Sequence, residues 1–183
     1  MEYIDVYDED KQPMHIVRSK GLIYSTGSWH LSAHIWIMNS EGKLLIQQRA
    51  FDKETFPGLW AISVAGHVRA GESSLDAAKR ELKEEVNIDA QDSDLKYLFS
   101  IKRNQNSKYG ILHVHDDVYL LQYDLDLEHA KLQMEEVVNV AYIDPFYFEK
   151  CLINHDPRFV PYAEEHQKLF DYLRQNYVVK TKM

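Results

Sequence analysis

The chain is poor in the residues that staple, split or anchor a protein. Cys151 is its single cysteine, so no disulfide can close within the chain and a reducing compartment is expected. Glycine and proline number only 7 and 5. No Pro-, Gly- or Ser-rich linker, internal repeat or low-complexity tract divides the sequence. One domain over residues 1–183 is therefore expected, with a core large enough to fold by itself. No apolar run approaches the length of a membrane span. The opening MEYIDVYDED is acidic and lacks the basic start and apolar stretch of a signal peptide. These absences favour a cytoplasmic protein with no membrane partner. Positive charge is short as well: 21 Lys and Arg against 29 Asp and Glu leave a net charge of −8. Gripping a nucleic-acid backbone takes a basic face, so nucleic acid is not an expected partner. A small anionic substrate stays compatible, because a metal ion can stand between two sets of negative charges.

What is present reads as a mixture of strands and helices. YIDVYDEDKQPMHIVRSK gives strand, polar turn at Asp8 to Pro13, and strand. HLSAHIWIMN is a well-buried strand, and SEG turns it into KLLIQQRA, predicting a hairpin from His30 to about Arg49. FDKETFPGLWAIS reads as a loop, followed by a short strand over Trp60 to Ala65. A helix begins near Ser73, where Ser73 and Asp76 resemble a capping box. DLKYLFSIKR and YGILHVHDDVYLLQYDL read as strands with NQNSK as the turn between them. EEVVNVAYID is a further strand, Pro145 opens a short helix, and YAEEHQKLFDYLRQNY is a longer amphipathic one. Without strict strand–helix alternation, the order predicts an α+β architecture, a mixed sheet sandwiched between helices.

The helix SSLDAAKRELKEEV carries an oddity. With Glu81 at 0° on a helical wheel, Glu85 falls at about +40° and Glu84 at about −60°. Ala78, Leu82, Leu75 and Val86 fall between about +60° and +140°. Three carboxylates thus border an apolar stripe. Glu81 repels both others at i+3 and i+4 spacing, and the last turns of a helix favour cations instead. A solvated acidic face is the bland explanation. A divalent cation such as Mg²⁺ would remove the conflict: it takes carboxylate oxygens and commonly holds substrate phosphates too.

The stretch Gly66 to Ile88, GHVRAGESSLDAAKRELKEEVNI, also resembles the Nudix box, Gly-x5-Glu-x7-Arg-Glu-U-x-Glu-Glu-x-Gly-U with U a bulky aliphatic residue. Every fixed position matches except Asn87, which stands where the pattern has glycine. Asn tolerates the left-handed conformation expected after a helix better than most residues. The resemblance implies the Nudix fold. It also implies hydrolysis of a nucleoside diphosphate-linked or other diphosphate-containing small molecule, with Mg²⁺ or Mn²⁺ as cofactor. Carried over position by position, Glu84 and Glu85 would be principal metal ligands and Glu81 a further ligand or the general base. Arg80 would orient the glutamates, Glu72 would steady the loop or join the metal shell, and the Gly66 carbonyl would reach a metal.

A wider stretch, SWHLSAHIWIMNSEGKLLIQQRA with FPGLWAISVAGHVRAGES, is similar to the isopentenyl-diphosphate isomerase branch of that superfamily and its hydrolase relatives. Those isomerases carry a proton-handling cysteine where this chain has Ala65, and a methyl group transfers no proton. The hydrolase is therefore favoured. The isomerase is the alternative, and a ligand-sensing Nudix module without catalysis is a third reading that the nearly complete box argues against. For substrate binding, Arg49 is a phosphate fork. Phe56 and Trp60, with Phe51, either stack a nucleobase of the substrate or anchor the loop and core. His67 joins the substrate-binding set. His113, His115, Asp116 and Asp117 are either pocket or metal residues or a solvent-facing strand end, and Glu135 and Glu136 either an extra acidic contribution or a charged strand entry. His30 and His34, in their apolar strand, read as buried hydrogen-bonded residues at least as readily as ligands. The oligomeric state stays open, with a homodimer among the expectations.

Overall fold

The computed structural model describes residues 1–107 and 110–177. Strand β1 (Tyr3–Tyr7) pairs with β2 (Pro13–Ser19) in a two-stranded antiparallel hairpin. The Asp8 carboxylate accepts from the backbone N–H of Asp10 and Gln12 at 2.9 and 2.8 Å and shapes its turn. A seven-residue helix α1 (Lys20–Thr26) follows, which the sequence reading did not anticipate. It buries Ile23 against Ile4 and Val6 of the hairpin and ends on Gly27 in the left-handed conformation, φ 60°.

The main sheet has seven strands: β3 (His30–Met38), β4 (Leu44–Arg49), β5 (Trp60–Ala61), β6 (Val64–His67), β7 (Leu95–Ser107), β8 (Gly110–Gln122) and β9 (Val137–Ile143). β3 runs parallel to β8 over its whole length, and all other pairings are antiparallel. The predicted hairpin from His30 to Arg49 is real only at its turn. β3 and β4 pair at Met38 and Leu44 and then part, so that β6 lies beside Ser32 to Ile35 and β9 and β5 flank β4. At this fork Ser63, fully buried, replaces missing rungs: its hydroxyl donates to the Leu45 carbonyl at 2.6 Å and accepts from the Ile37 N–H at 2.8 Å.

Three further boundaries differ from expectation. The strand expected over Trp60 to Ala65 is two strands, because its residues pair first with β4 and then with β3. The turn expected at Asn104 to Lys108 is strand as far as Ser107, and its last residue lies outside the described residues. Glu135 and Glu136 precede β9 rather than opening it.

Helix α2 (Ser74–Val86) covers one face of the sheet; α3 (Pro145–Ile153) and α4 (Ala163–Asn176) cover the other. The period of two along strands sorts the core. Leu31, Ala33, Ile35 and Ile37 of β3 pack with Ala77, Ala78, Leu82 and Val86 of α2. Trp36 and Met38 point to the opposite face and meet Phe148, Leu169, Phe170 and Leu173. This is the predicted mixed sheet between helices. Among the described residues no helix is long and apolar enough to cross a membrane.

Candidate active site

Topology assembles one end of the sheet. β4 and β6 both run antiparallel to β3, so Arg49 and His67, at their C-terminal ends, face the same cavity as its N-terminal residue His30, and the His67 and His30 rings lie 5.4 Å apart. A cavity of about 870 Å³ opens there, and its walls include Glu81, Glu84, Glu85, Gly66, His67 and Arg49. It also takes in Ser32 and His34, which project from β3 opposite the α2 face, and Arg103 of β7. Side chains from both faces of the sheet thus share one cavity.

The box helix is placed by its ends. The Ser73 hydroxyl accepts from the Asp76 N–H at 3.1 Å and starts α2. Asn87 ends it at φ 57°, the left-handed cap that its position in the box calls for. The two elements that carry the box then press together. A Cβ on residue 66 would stand 2.0 Å from Oε1 of Glu81, so only glycine fits beside this glutamate.

Arg80 ties the cluster. Its Nε and Nη2 donate to the two oxygens of Glu72 at 2.8 and 3.0 Å, and Nη2 also reaches the His67 carbonyl at 2.9 Å. Nη1 bonds Glu81 and lies 3.3 Å from Glu84, which Arg69 also approaches at 3.3 Å. The hydrogen bonds from Arg80 hold Glu72 below the usual carboxylate range, despite its partial burial. Neither Arg80 nor Glu72 is part of the cavity wall; they stand behind the glutamates that are.

Glu85 is the unusual carboxyl. It is 3% exposed on the apolar face of α2, and burial, with Glu81 and Glu136 nearby, pushes its pKa well up. The Ala65 N–H and the Gln47 amide, at 3.3 Å, donate to it. Burial also raises Glu81, against the opposing charge of Arg80. Two buried carboxyls whose pKa values burial raises, with Glu84 beside them, form a donor set of hard oxygens that suits a divalent cation. Among the described residues no three His, Cys, Asp or Glu side chains already converge as a closed metal cage. Mg²⁺ requires no such cage, since it binds through one or two carboxylates and keeps waters or substrate oxygens.

The remaining expectations fall into two groups. Arg49 lines the cavity, its Nε donating to the Thr55 carbonyl at 3.0 Å. Glu135 and Glu136 line it as well, and Glu136 pairs with Lys53. His67 and His30 sit in the wall with Tyr24, whose hydroxyl meets His67 Nε2 at 3.0 Å. Burial pushes both histidines down and raises Tyr24 to about 12. Phe56 and Trp60 do not line this cavity: Trp60 packs on the α4-side core, and Phe56 sits edge-on to Tyr162. Phe51 is exposed. His113 and His115 flank the Trp29 ring at 4.7 Å each, and Asp117 pairs with Lys11, so this group docks the N-terminal hairpin.

The floor of the cavity contains the expected buried, hydrogen-bonded His34, and Asp116 of the polar strand end, but sequence reading missed Arg103 and Glu165, which tie them together. Arg103 grips Asp116 through two bonds of 2.6 and 3.0 Å and lies 4.9 Å over the Tyr162 ring. Asp116 also accepts from Ser32 at 2.6 Å and faces His34 Nε2 at 3.4 Å. His34 Nδ1 meets Glu165 at 2.7 Å, and Trp36 donates to that same carboxylate at 2.8 Å. Burial opposes the charge on Asp116, yet His34 and Arg103 hold its carboxyl well below the usual range. Burial likewise opposes a charged His34, but Asp116 and Glu165 outweigh it and raise its pKa. Arg103, Asp116, His34 and Glu165 thus form one connected chain of hydrogen bonds and close polar contacts beneath the cavity.

A model of the NUDIX domain matches residues 28–162. Nudix hydrolase 3 of Arabidopsis thaliana is 34% identical over 187 residues, covering 98% of this chain but 24% of that protein, so the chain spans only a part of it. An uncharacterized Nudix hydrolase of Listeria innocua is 33% identical over 162 residues, 88% of this chain and 90% of that protein. The isopentenyl-diphosphate Delta-isomerase of Serratia proteamaculans is 46% identical, over 74 residues that make up 40% of this chain and 41% of that enzyme. The crystal structure of DR0079 from Deinococcus radiodurans shares the fold, with a TM-score of 0.67 at 23% identity over 96% of this chain and 99% of that one. The domain model takes in the strands that build the cavity and the helix that supplies its glutamates, and the chain belongs to the Nudix hydrolase family.

Proposed function

We propose that the protein is a Mg²⁺- or Mn²⁺-dependent pyrophosphohydrolase that cleaves a phosphoanhydride bond in a nucleoside diphosphate-linked or other diphosphate-containing small molecule. The observation that carries this reading is the buried Glu85 beside Glu81 and Glu84, in one cavity with the cations Arg49, Lys53 and Arg103. Glu84 and Glu85 would hold the ion, with Glu81 and the Gly66 carbonyl adjacent. When bound, the ion neutralises phosphate charge and lowers the pKa of bound water. Arg49 and Lys53 place positive charge on the cavity wall for phosphate oxygens that develop charge as the anhydride breaks. A box glutamate takes the proton of the attacking water. Glu72, through Arg80, keeps Glu81 and Glu84 oriented.

The isomerase reading draws on the 74-residue similarity. Ala65, in register with His34 and part of the cavity wall, puts a methyl group where that chemistry needs a proton carrier. Both readings are tested together by phosphate release from nucleoside di- and triphosphates, nucleotide sugars, dinucleotides and isoprenoid diphosphates, with bond migration followed in isopentenyl diphosphate. Release that needs the metal and disappears in Glu85→Gln is expected. Release that persists in both Glu84→Gln and Glu85→Gln would sink the site assignment.

A further inference from the structure

Gln47 breaks the pattern of its strand. On β4, Leu45 belongs to the buried apolar cluster under α2, as do Val137 and Val140 of the neighbouring β9. Side chains two apart share a strand face, so position 47 falls on that same apolar side. It holds an amide instead, and the residue is 2% exposed. The amide Nε2 donates to Oε2 of Glu85 at 3.3 Å. Its Oε1 is buried without a hydrogen-bond partner, one of only two such side-chain atoms among the described residues, so the fold tolerates this almost nowhere else. A buried polar atom left unpaired is a standing cost that a leucine or methionine there would avoid.

From this placement we propose that Gln47 is a positioning residue for metal binding: its amide N–H holds one oxygen of Glu85 from behind, so that the carboxylate meets a divalent cation in a fixed orientation. The inference rests on the pyrophosphohydrolase reading of the cavity. Glu85 lines that cavity and Gln47 does not, so the amide acts on an ion only through Glu85. An ionised carboxylate only accepts hydrogen bonds, which commits the amide to turn its NH₂ toward Glu85 and its oxygen away. The orphaned Oε1 follows from that commitment.

The kind of donor matters as much as its place. Glu81 and Glu84 are bonded by the guanidinium groups of Arg80 and Arg69. Glu85 takes hydrogen bonds from neutral groups, the Ala65 N–H of β6 and the Gln47 amide of β4. A neutral donor orients a carboxylate and leaves its charge for the ion, whereas a lysine or arginine at position 47 would compete with the metal. Hydrogen-bond partners of this kind behind a metal ligand are typically worth about 10–100-fold in metal affinity.

The test replaces Gln47 by leucine and by methionine and reads Mn²⁺ affinity in two ways. Free Mn²⁺ is counted by paramagnetic resonance with the protein alone, and the Mn²⁺ concentration for half-maximal turnover is taken with whichever compound the phosphate-release screen finds. Both variants should bind Mn²⁺ about tenfold or more weakly than wild type. Their metal-free melting temperatures should stay within a few degrees of it, since the orphaned oxygen is gone and Glu85 can turn to water in the cavity. Gln48→Met alters the adjacent position of β4, whose amide bonds the Gly58 carbonyl instead, and should leave Mn²⁺ affinity unchanged. Wild-type affinity in both Gln47 variants overturns the proposal. So does a loss shared by Gln48→Met or matched by a collapse of the melting temperature, either of which marks a general effect of the strand. A wild type that neither binds Mn²⁺ nor cleaves any compound defeats the pyrophosphohydrolase reading and this inference with it; metal-dependent cleavage with unshifted affinity in both variants refutes the role of Gln47 alone.

Discussion

Gly66 and Glu81 occupy a space that admits no methyl group: a Cβ on residue 66 would meet the Glu81 carboxyl at 2.0 Å. The atom in the way is the end of a flexible side chain, not backbone. Gly66→Ala should therefore fold, with a melting temperature within a few degrees of wild type, while Glu81 swings off its position. Displacing a reacting group by about 1 Å costs roughly a hundredfold in rate. Steady-state kinetics beside a thermal melt check both halves, and wild-type turnover in the folded variant would show that the placement of Glu81 is unimportant.

The buried Asp116 carboxylate makes a prediction about stability. Asp116→Asn removes the negative charge that Arg103 grips and His34 Nε2 faces in the interior. Breaking a buried pair from one side typically costs about 3–5 kcal/mol. Urea unfolding at neutral pH should find a loss of that order. Because the folded pKa of Asp116 is depressed, its contribution is present above the unfolded carboxylate range and fades as pH falls toward the folded value. The gap between wild type and variant should therefore narrow in strong acid.

His166 gives a separate pH dependence. It lies buried against Trp36 and Phe148, and burial lowers its pKa to about 4 despite the nearby carboxylate of Glu165. Folding thus favours the neutral ring. Stability from this group is intact above about pH 6.5, the unfolded value, and declines as pH falls to about 4, by roughly 3 kcal/mol in all. His166→Leu should flatten that part of the stability–pH curve. An unchanged slope in the variant would refute the assignment.

Local rules carried the sequence reading where it succeeded. Ser73 and Asn87 delimit α2 through hydrogen-bond and dihedral preferences that act within a few residues, and the wheel placed Glu85 beside the stripe it is buried in. Helix α1 escaped notice because seven residues hold too few periods, and its burial depends on Ile4 and Val6 of another element. The fork of β3 escaped for a related reason. Alternating apolar residues tell a strand which face is inside but do not name its neighbour. The charge chain is the extreme case: His34 and Glu165 meet across 131 positions, and neither flanking sequence marks the pairing. Arg103 ends the segment DLKYLFSIKR with nothing beside it to mark its role, although its partner Asp116 lies only 13 residues away across the β7–β8 ladder.

The forked sheet has a mechanical consequence. Arg49 rides on the wing formed by β4, β5 and β9, whereas Gly66 lies in β6 beside β3, and the glutamates ride on α2, which packs on that second wing. The Met38–Leu44 rung and the Ser63 hydroxyl join the two wings, and the Gln47 amide of β4 reaches Glu85 at 3.3 Å. The span between Arg49 and the acidic cluster is thus set by how few contacts pin one wing to the other. A change in packing at any of them would alter that reach while leaving the sequence from Gly66 to Ile88 untouched.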